Sequence, residues 1–471
     1  MSTVAAVPPL QGVNTAQSPP FTLPIRYMLL GVCGFLAFAL DLAAQSLHLA
    51  TAGPFAGGGP ALTHLLTLAS LLAFVMGAVY QLSTVAFLIS IRGERLARAN
   101  FWLYTASIAV LIGSMAGHSQ MGMLLGGAGA LVALYVYGGI MLATLAGTKV
   151  RGVMQGFVLS AHAYLILAVT AAWLRIVAYT WTPLSPFGLK LLATHILLFV
   201  GGFFTFLIMG FSFKLLPMFT LAHGFPTWRQ KWTLGLAHLA IWLLGAGIWS
   251  GRTVCLWLGA VAGLAAFVNH LLDVRGILKH RMRKRLESPI QGVTAAGFAA
   301  LLAIGLLLLQ LAWRRGIPGW EGAASLYLLG WIALTIMGYA YKIIPFLIWT
   351  ERYSARAARK KPTVGSAAAK PAAGQDPTAA TGKSTSGGRL PASVPRKTPL
   401  IADLINLRLS RWVLAGAALG LVLVTAGLTV PFGASTVVGC LLLACAVLVF
   451  VYQMLRVIHP SQVVKELTGR D

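Results

Sequence analysis

The chain has 471 residues, of which 58% are hydrophobic and only 10% charged, and it carries a formal net charge of +26. So much apolar surface does not fit inside a water-soluble domain, which excludes a soluble globular enzyme and predicts a polytopic membrane protein. The positive charge is spread over many loops, as membrane topology and anionic headgroups both require, so a nucleic-acid partner is excluded and membrane lipids are the expected one.

Residues 1–24 are polar and proline-bearing and lack the short apolar core of a signal peptide, so they read as a disordered cytoplasmic tail. Ten apolar runs follow within a membrane domain at 25–349, at about 27–50, 61–90, 100–118, 121–147, 153–180, 190–219, 232–250, 253–274, 290–312 and 321–349. Residues 350–400 are rich in Ala, Pro, Gly, Ser, Thr, Lys and Arg and read as a disordered basic cytoplasmic linker. An interfacial amphipathic segment over Ile401 to Arg411 is expected next, then two further spans at 412–431 and 435–457 in the last membrane unit, 401–458, and a cytoplasmic tail at 459–471. With the N-terminus inside, the outer loops hold only Lys190, Arg252, Arg314 and Arg315 of the 36 Lys and Arg, and Arg175 lies inside the fifth span. That bias places both termini in the cytoplasm and, for a bacterial chain, the spans in the inner membrane.

Intramembrane polar residues are functional candidates by default. The first span carries Asp41, Gln45 and His48 at helical spacing, which puts them on one face near its outer end. Asp41 and Arg175 stand at nearly equal distances before Gly77 and Gly210, so an ion pair across the bundle is one reading and a proton or ligand pathway the other. His118, Met121 and Met123 share a short outer turn and offer soft ligands for Cu(I), although Met is also common apolar filler. His162 lies in the fifth span, His238 in the seventh and His270 near the inner end of the eighth. Lys214 and Lys342 are expected to snorkel to the cytoplasmic interface.

One pattern recurs. Met76-Gly77, Met209-Gly210 and Met337-Gly338 each open M-G-x-x-[YF]-[QK]-[LI]-x-[PT], and the Met residues are 133 and 128 apart. Self-similarity at that period implies three units of four spans. His64 and His195 each precede the motif, 131 residues apart, so the repeat puts them at similar depths; imidazole there suits haem iron or copper. The third copy has Ser325, Leu326 and Tyr327 in that region and no histidine.

Twelve spans, cytoplasmic termini, a threefold repeat and histidines toward the outer ends of the second and sixth helices resemble subunit I of the haem-copper oxidases. The fold class so implied is an all-α polytopic membrane protein with twelve helices in three pseudo-symmetric repeats of four. The resemblance implies that His64 is an axial haem ligand and that His195, with His238, holds copper or a second axial position. It also requires two histidines on the tenth helix, and none lies between Trp320 and Trp349. Oxygen or nitric oxide reduction is therefore not expected. The expected role is accessory, sensing or redox, in respiration or nitrosative metabolism, with a respiratory-chain or small redox partner, as for the oxidase-like proteins of nitric oxide response. A transporter, with copper as a suitable cargo, is the rival reading, and a cofactor-free structural subunit is the third.

Overall fold

The computed structural model describes residues 17–312, 320–359, 401–430 and 433–458. Most of the tail read at 1–24, the linker from 360 and the tail from 459 lie outside the described residues. Among those described, twelve helices are long and apolar enough to cross a membrane: α1 Thr22–Ala44, α2 Gly59–Phe87, α3 Glu94–Ala116, α4 Gln120–Ala146, α5 Val153–Val177, α6 Thr182–Thr220, α7 Arg229–Ser250, α8 Thr253–Lys279, α9 Ser288–Ala312, α10 Trp320–Tyr353, α11 Leu407–Thr429 and α12 Gly433–Ile458. The chain is a polytopic integral membrane protein, in which helices satisfy every backbone group that lipid cannot.

The spans pack as consecutive pairs, α3 on α4, α7 on α8 and α11 on α12, while α1 lies on α2, α5 on α6 and α9 on α10. The pairs join through α4 on α5, α8 on α9 and α12 on α1 into three groups of four, and contacts of α1 with α3, α5 with α7 and α9 with α11 close a ring. Inside it stand the helices with the Met-Gly motif. Their most apolar windows are 83%, 72% and 83% buried for α2, α6 and α10, against at most 50% for every other span.

The motif has a packing reason. A Cβ on Gly77 would lie 2.5 Å from the Pro24 carbonyl oxygen, one on Gly210 2.7 Å from Phe157 Cβ, and one on Gly338 2.9 Å from the Pro289 carbonyl oxygen. Each glycine therefore lets an inner helix touch the helix just before it, and the adjoining Met76, Met209 and Met337 are buried.

The inner helices share a second feature that the hydrophobic pattern does not reveal. Each contains an eight-residue π-helical stretch, Leu65–Leu72, Leu197–Phe204 and Leu326–Ala333. A π turn leaves backbone groups poorly matched, and side chains take up the slack. Ser70 Oγ donates to the Leu65 carbonyl at 2.8 Å, Thr205 Oγ1 to that of Val200 at 2.9 Å, and the Tyr104 hydroxyl to that of Leu68 at 2.8 Å.

Several expectations are corrected. The first span stops at Ala44 and a separate short helix, Ser46–Ala52, follows Gln45, so Asp41, Gln45 and His48 do not lie on one continuous helix. Gln45 Nε2 turns back to donate to Asp41 Oδ2 at 2.7 Å, and His48 Nε2 donates to the Ala56 carbonyl at 3.2 Å. These bonds pin the 53–58 loop, in which Gly57 has φ 52 and no room for a Cβ beside the His48 ring. The tenth helix runs on to Arg359, into the stretch read as linker. The amphipathic segment before the eleventh span is instead a 3-10 turn, Ile401–Leu404, and α11 starts at Leu407 because Asn406 Oδ1 accepts from the Arg408 and Leu409 amides. Lys342 does not snorkel freely: it is ion-paired with Glu287, which also takes Arg283 at 2.6 Å. Lys214 is exposed.

Candidate functional site

The first two π stretches begin just after His64 and His195, and the fold brings these two residues together. Their rings are nearly parallel, 5° apart, with centroids separated by 6.4 Å. His64 Nδ1 donates to the Pro60 carbonyl at 2.7 Å, within its own helix; His195 Nδ1 donates to the Ala168 carbonyl of α5 at 3.0 Å. A carbonyl only accepts, so in both rings Nδ1 carries the proton and Nε2 keeps its lone pair. Neither Nε2 has a hydrogen-bond partner among the described residues. This is the orientation that a metal-ligating imidazole takes, with its other nitrogen tied to a backbone carbonyl.

Both rings face a cavity of about 1450 Å³ to which all twelve spans contribute. It exceeds the usual 300–1,000 Å³ of small-molecule pockets. Its walls are mostly Leu, Ile, Val, Ala and Phe, and its polar groups are few, among them Arg175, Glu321, Tyr327, His118 and Gln310. On the α10 side, Ser325 directly precedes the π stretch as His64 does on α2, Tyr327 lies just inside it, and both line the cavity. The Tyr327 hydroxyl lies 2.8 Å from Thr205 Oγ1 and that of Tyr339 2.8 Å from Ser212 Oγ, so two hydrogen bonds stitch α10 to α6.

Two further histidines of the spans have both ring nitrogens engaged. His238 has both ring nitrogens engaged, Nε2 with Ser160 Oγ at 3.1 Å and Nδ1 with the Tyr164 hydroxyl at 2.6 Å, and it does not line the cavity. His162, fully buried, donates from Nδ1 to the Val158 carbonyl at 2.7 Å and meets the Tyr137 hydroxyl through Nε2 at 3.2 Å. The outer trio is divided: His118 and Met123 line the cavity, whereas Met121 is exposed and does not. Among the described residues no group of three or more His, Cys, Asp or Glu is placed to hold a metal ion. A tetrahedral zinc site, which needs four protein ligands or three and a water, therefore does not fit. A group that asks the protein for two nitrogen ligands does, such as a haem iron or a Cu(I) ion.

Asp41 and Arg175 do not pair. Asp41 is held by Gln45, and Arg175 stacks its guanidinium carbon 3.8 Å from the centre of the Tyr179 ring. Sequence reasoning also passed over Asp273. It is buried on α8 one turn beyond His270, and neither carboxylate oxygen has a hydrogen-bond partner, nor does His270 Nδ1. The signal was present as an acid three residues after a histidine inside an apolar helix.

No known protein-family model matches the chain, and no curated protein matches it either. The class defined by the fold is therefore the one to state, a twelve-helix integral membrane protein with a histidine-lined internal cavity.

Proposed function

We propose that the chain is a divergent relative of haem-copper oxidase subunit I, built from three repeats of four spans in a bacterial inner membrane with both termini cytoplasmic. In this reading it binds haem or copper between His64 and His195, near the outer side. Its role is accessory, sensing or redox, in respiration or nitrosative metabolism, rather than that of a terminal oxidase.

The observation that carries the reading is the histidine pair. The two rings lie 6.4 Å apart beside the cavity with Nε2 of each uncommitted, so His64 and His195 would together hold one metal or haem iron, where the family resemblance implies separate haem and copper ligands. A bound haem iron or copper ion would supply a one-electron couple; the protein contributes two imidazoles fixed by the Pro60 and Ala168 carbonyls and a mostly apolar wall. The repeat is supported by the three π stretches, the three glycine contacts and the ring of helix pairs. The transport reading asks for a path between the outer group of His118, Met121 and Met123 and an inner pair of soft ligands, Met218 and His223, at and just past the inner end of α6. The cavity reaches only the first of these.

The test is an oxidised and dithionite-reduced visible spectrum of the detergent-purified full chain, with haem and metal stoichiometry. Sharp reduced haem bands, or one tightly bound copper per chain, are expected, and His64→Ala and His195→Ala should each abolish them. Folded protein from haem- and copper-sufficient cells that holds neither would overturn the proposal.

A further inference from the structure

Arg175 is a cation in the last turns of a membrane-spanning helix, and its repeat-related acid does not meet it. It lines the cavity together with Trp173 and Ile176 of the same helix and Tyr179 of the turn that follows. Its Nε is buried without a hydrogen-bond partner. Among the described residues no ion pair is recorded for Arg175, whereas Arg98, Arg283 and Lys342 each have a glutamate partner. Glu321 lines the cavity too but is not within ion-pairing distance. A half-buried guanidinium beside an apolar cavity, with its buried Nε donor unsatisfied, favours a ligand that supplies the missing acceptor.

The position of the group narrows what that acceptor is. The Ala168 carbonyl that anchors His195 and the Arg175 Cα are seven residues apart on α5, two helical turns, so they lie on one face about 10 Å apart along the axis. Between and around them the wall is apolar, with Val169, Ala172, Trp173 and Ile176 facing the cavity. Tyr179 supports the guanidinium plane from one side, which holds its fork of donors in a fixed orientation. A planar two-oxygen anion matches that fork, and an apolar body matches the cavity.

We infer that the cavity takes a carboxylate carried on a large apolar body, with the carboxylate bound by Arg175 and the body packed toward His64 and His195. Two sources share this chemistry: a free amphipathic acid drawn from the membrane, or the carboxylates at the edge of a haem held by the histidine pair. The inference does not require a metal between His64 and His195.

The experiment compares acids with their esters on the full chain in detergent, by calorimetric titration of palmitic acid against methyl palmitate and of haem against haem dimethyl ester. For at least one pair the acid should bind about tenfold or more tighter than the ester, with Arg175→Gln erasing the difference and Arg175→Lys keeping part of it. A preference for palmitic acid that survives in the His64→Ala/His195→Ala double variant assigns the site to a free amphipathic acid. A preference seen only with haem assigns it to the cofactor edge. If haem does not bind the wild-type chain but palmitic acid is preferred over its ester, the cofactor proposal falls and this one stands. If neither acid is preferred over its ester in the wild-type chain, or Arg175→Gln leaves the preference intact, this inference is wrong; the first comparison needs no variant to fold.

Discussion

The inner helices α2 and α6 on one side and α10 on the other have the same construction and different contents. All three wind through an eight-residue π stretch and seat a Met-Gly pair against the preceding helix. Only α2 and α6 place a histidine at the head of the π stretch. At that level α10 offers Ser325 and Tyr327, and Tyr327 is used to bind Thr205 of α6. The π winding is thus kept where no ligand needs it. It belongs to the way the inner helices pack, and the imidazoles are an addition to a scaffold that stands without them.

Several experiments break or sharpen that comparison. The largest expected effect is on ligand binding. On the proposal that one group is shared by the two histidines, His64→Ala, His195→Ala and the double variant should all lose metal or haem affinity to a similar extent, by at least about 100-fold, in titrations followed by absorbance. Additive losses would mean two separate sites. Next comes the scaffold. Gly210→Val puts a side chain where Phe157 already stands and should destabilise the folded chain by about 1–3 kcal/mol, seen as a lower thermal midpoint in detergent. An unchanged midpoint would remove the packing explanation of the motif.

A gain-of-ligand variant tests whether α10 is truly equivalent. Ser325→His should add a third imidazole to the cavity wall and tighten Cu(I) binding by about tenfold, measured by competition with a chelator. No change would show that this position of α10 is out of register with His64 and His195. Tyr327→Phe should cost about 1 kcal/mol of stability by removing the hydrogen bond between α10 and Thr205, with haem and copper binding unaffected. The smallest effect is expected at His238. Since Ser160 and Tyr164 already occupy both its nitrogens, His238→Ala should leave the absorption spectrum and metal content unchanged. A shifted spectrum there would restore the role that the family resemblance assigns to it.

Much of this organisation is legible in the chain. Span number follows from runs of apolar residues because hydropathy is a local property, and only the ends move: α11 starts earlier than its hydropathy suggests because a single asparagine cap decides it. Pairing across helices is different. Asp41 and Arg175 stand at near-equal distances before Gly77 and Gly210, yet Asp41 accepts a hydrogen bond from its neighbour Gln45 and Arg175 lines the cavity. Equal depth was necessary for the two to meet, and it was not sufficient.

The same division holds for the candidate site. Composition, the 133- and 128-residue spacing of the motif and the near-equal spacing of His64 and His195 are properties of the linear chain, and they determine that this is a membrane protein with two histidines at one depth. Whether those rings face each other depends on helix rotation, which the π stretches set, and on which carbonyl each Nδ1 finds, Pro60 of its own helix for one and Ala168 of a neighbouring helix for the other. The cavity, the engagement of His238 and the unpaired guanidinium of Arg175 likewise arise only when all twelve spans are in place. A side chain's depth is carried by its position in a span; its partners are chosen by packing between segments far apart in the chain.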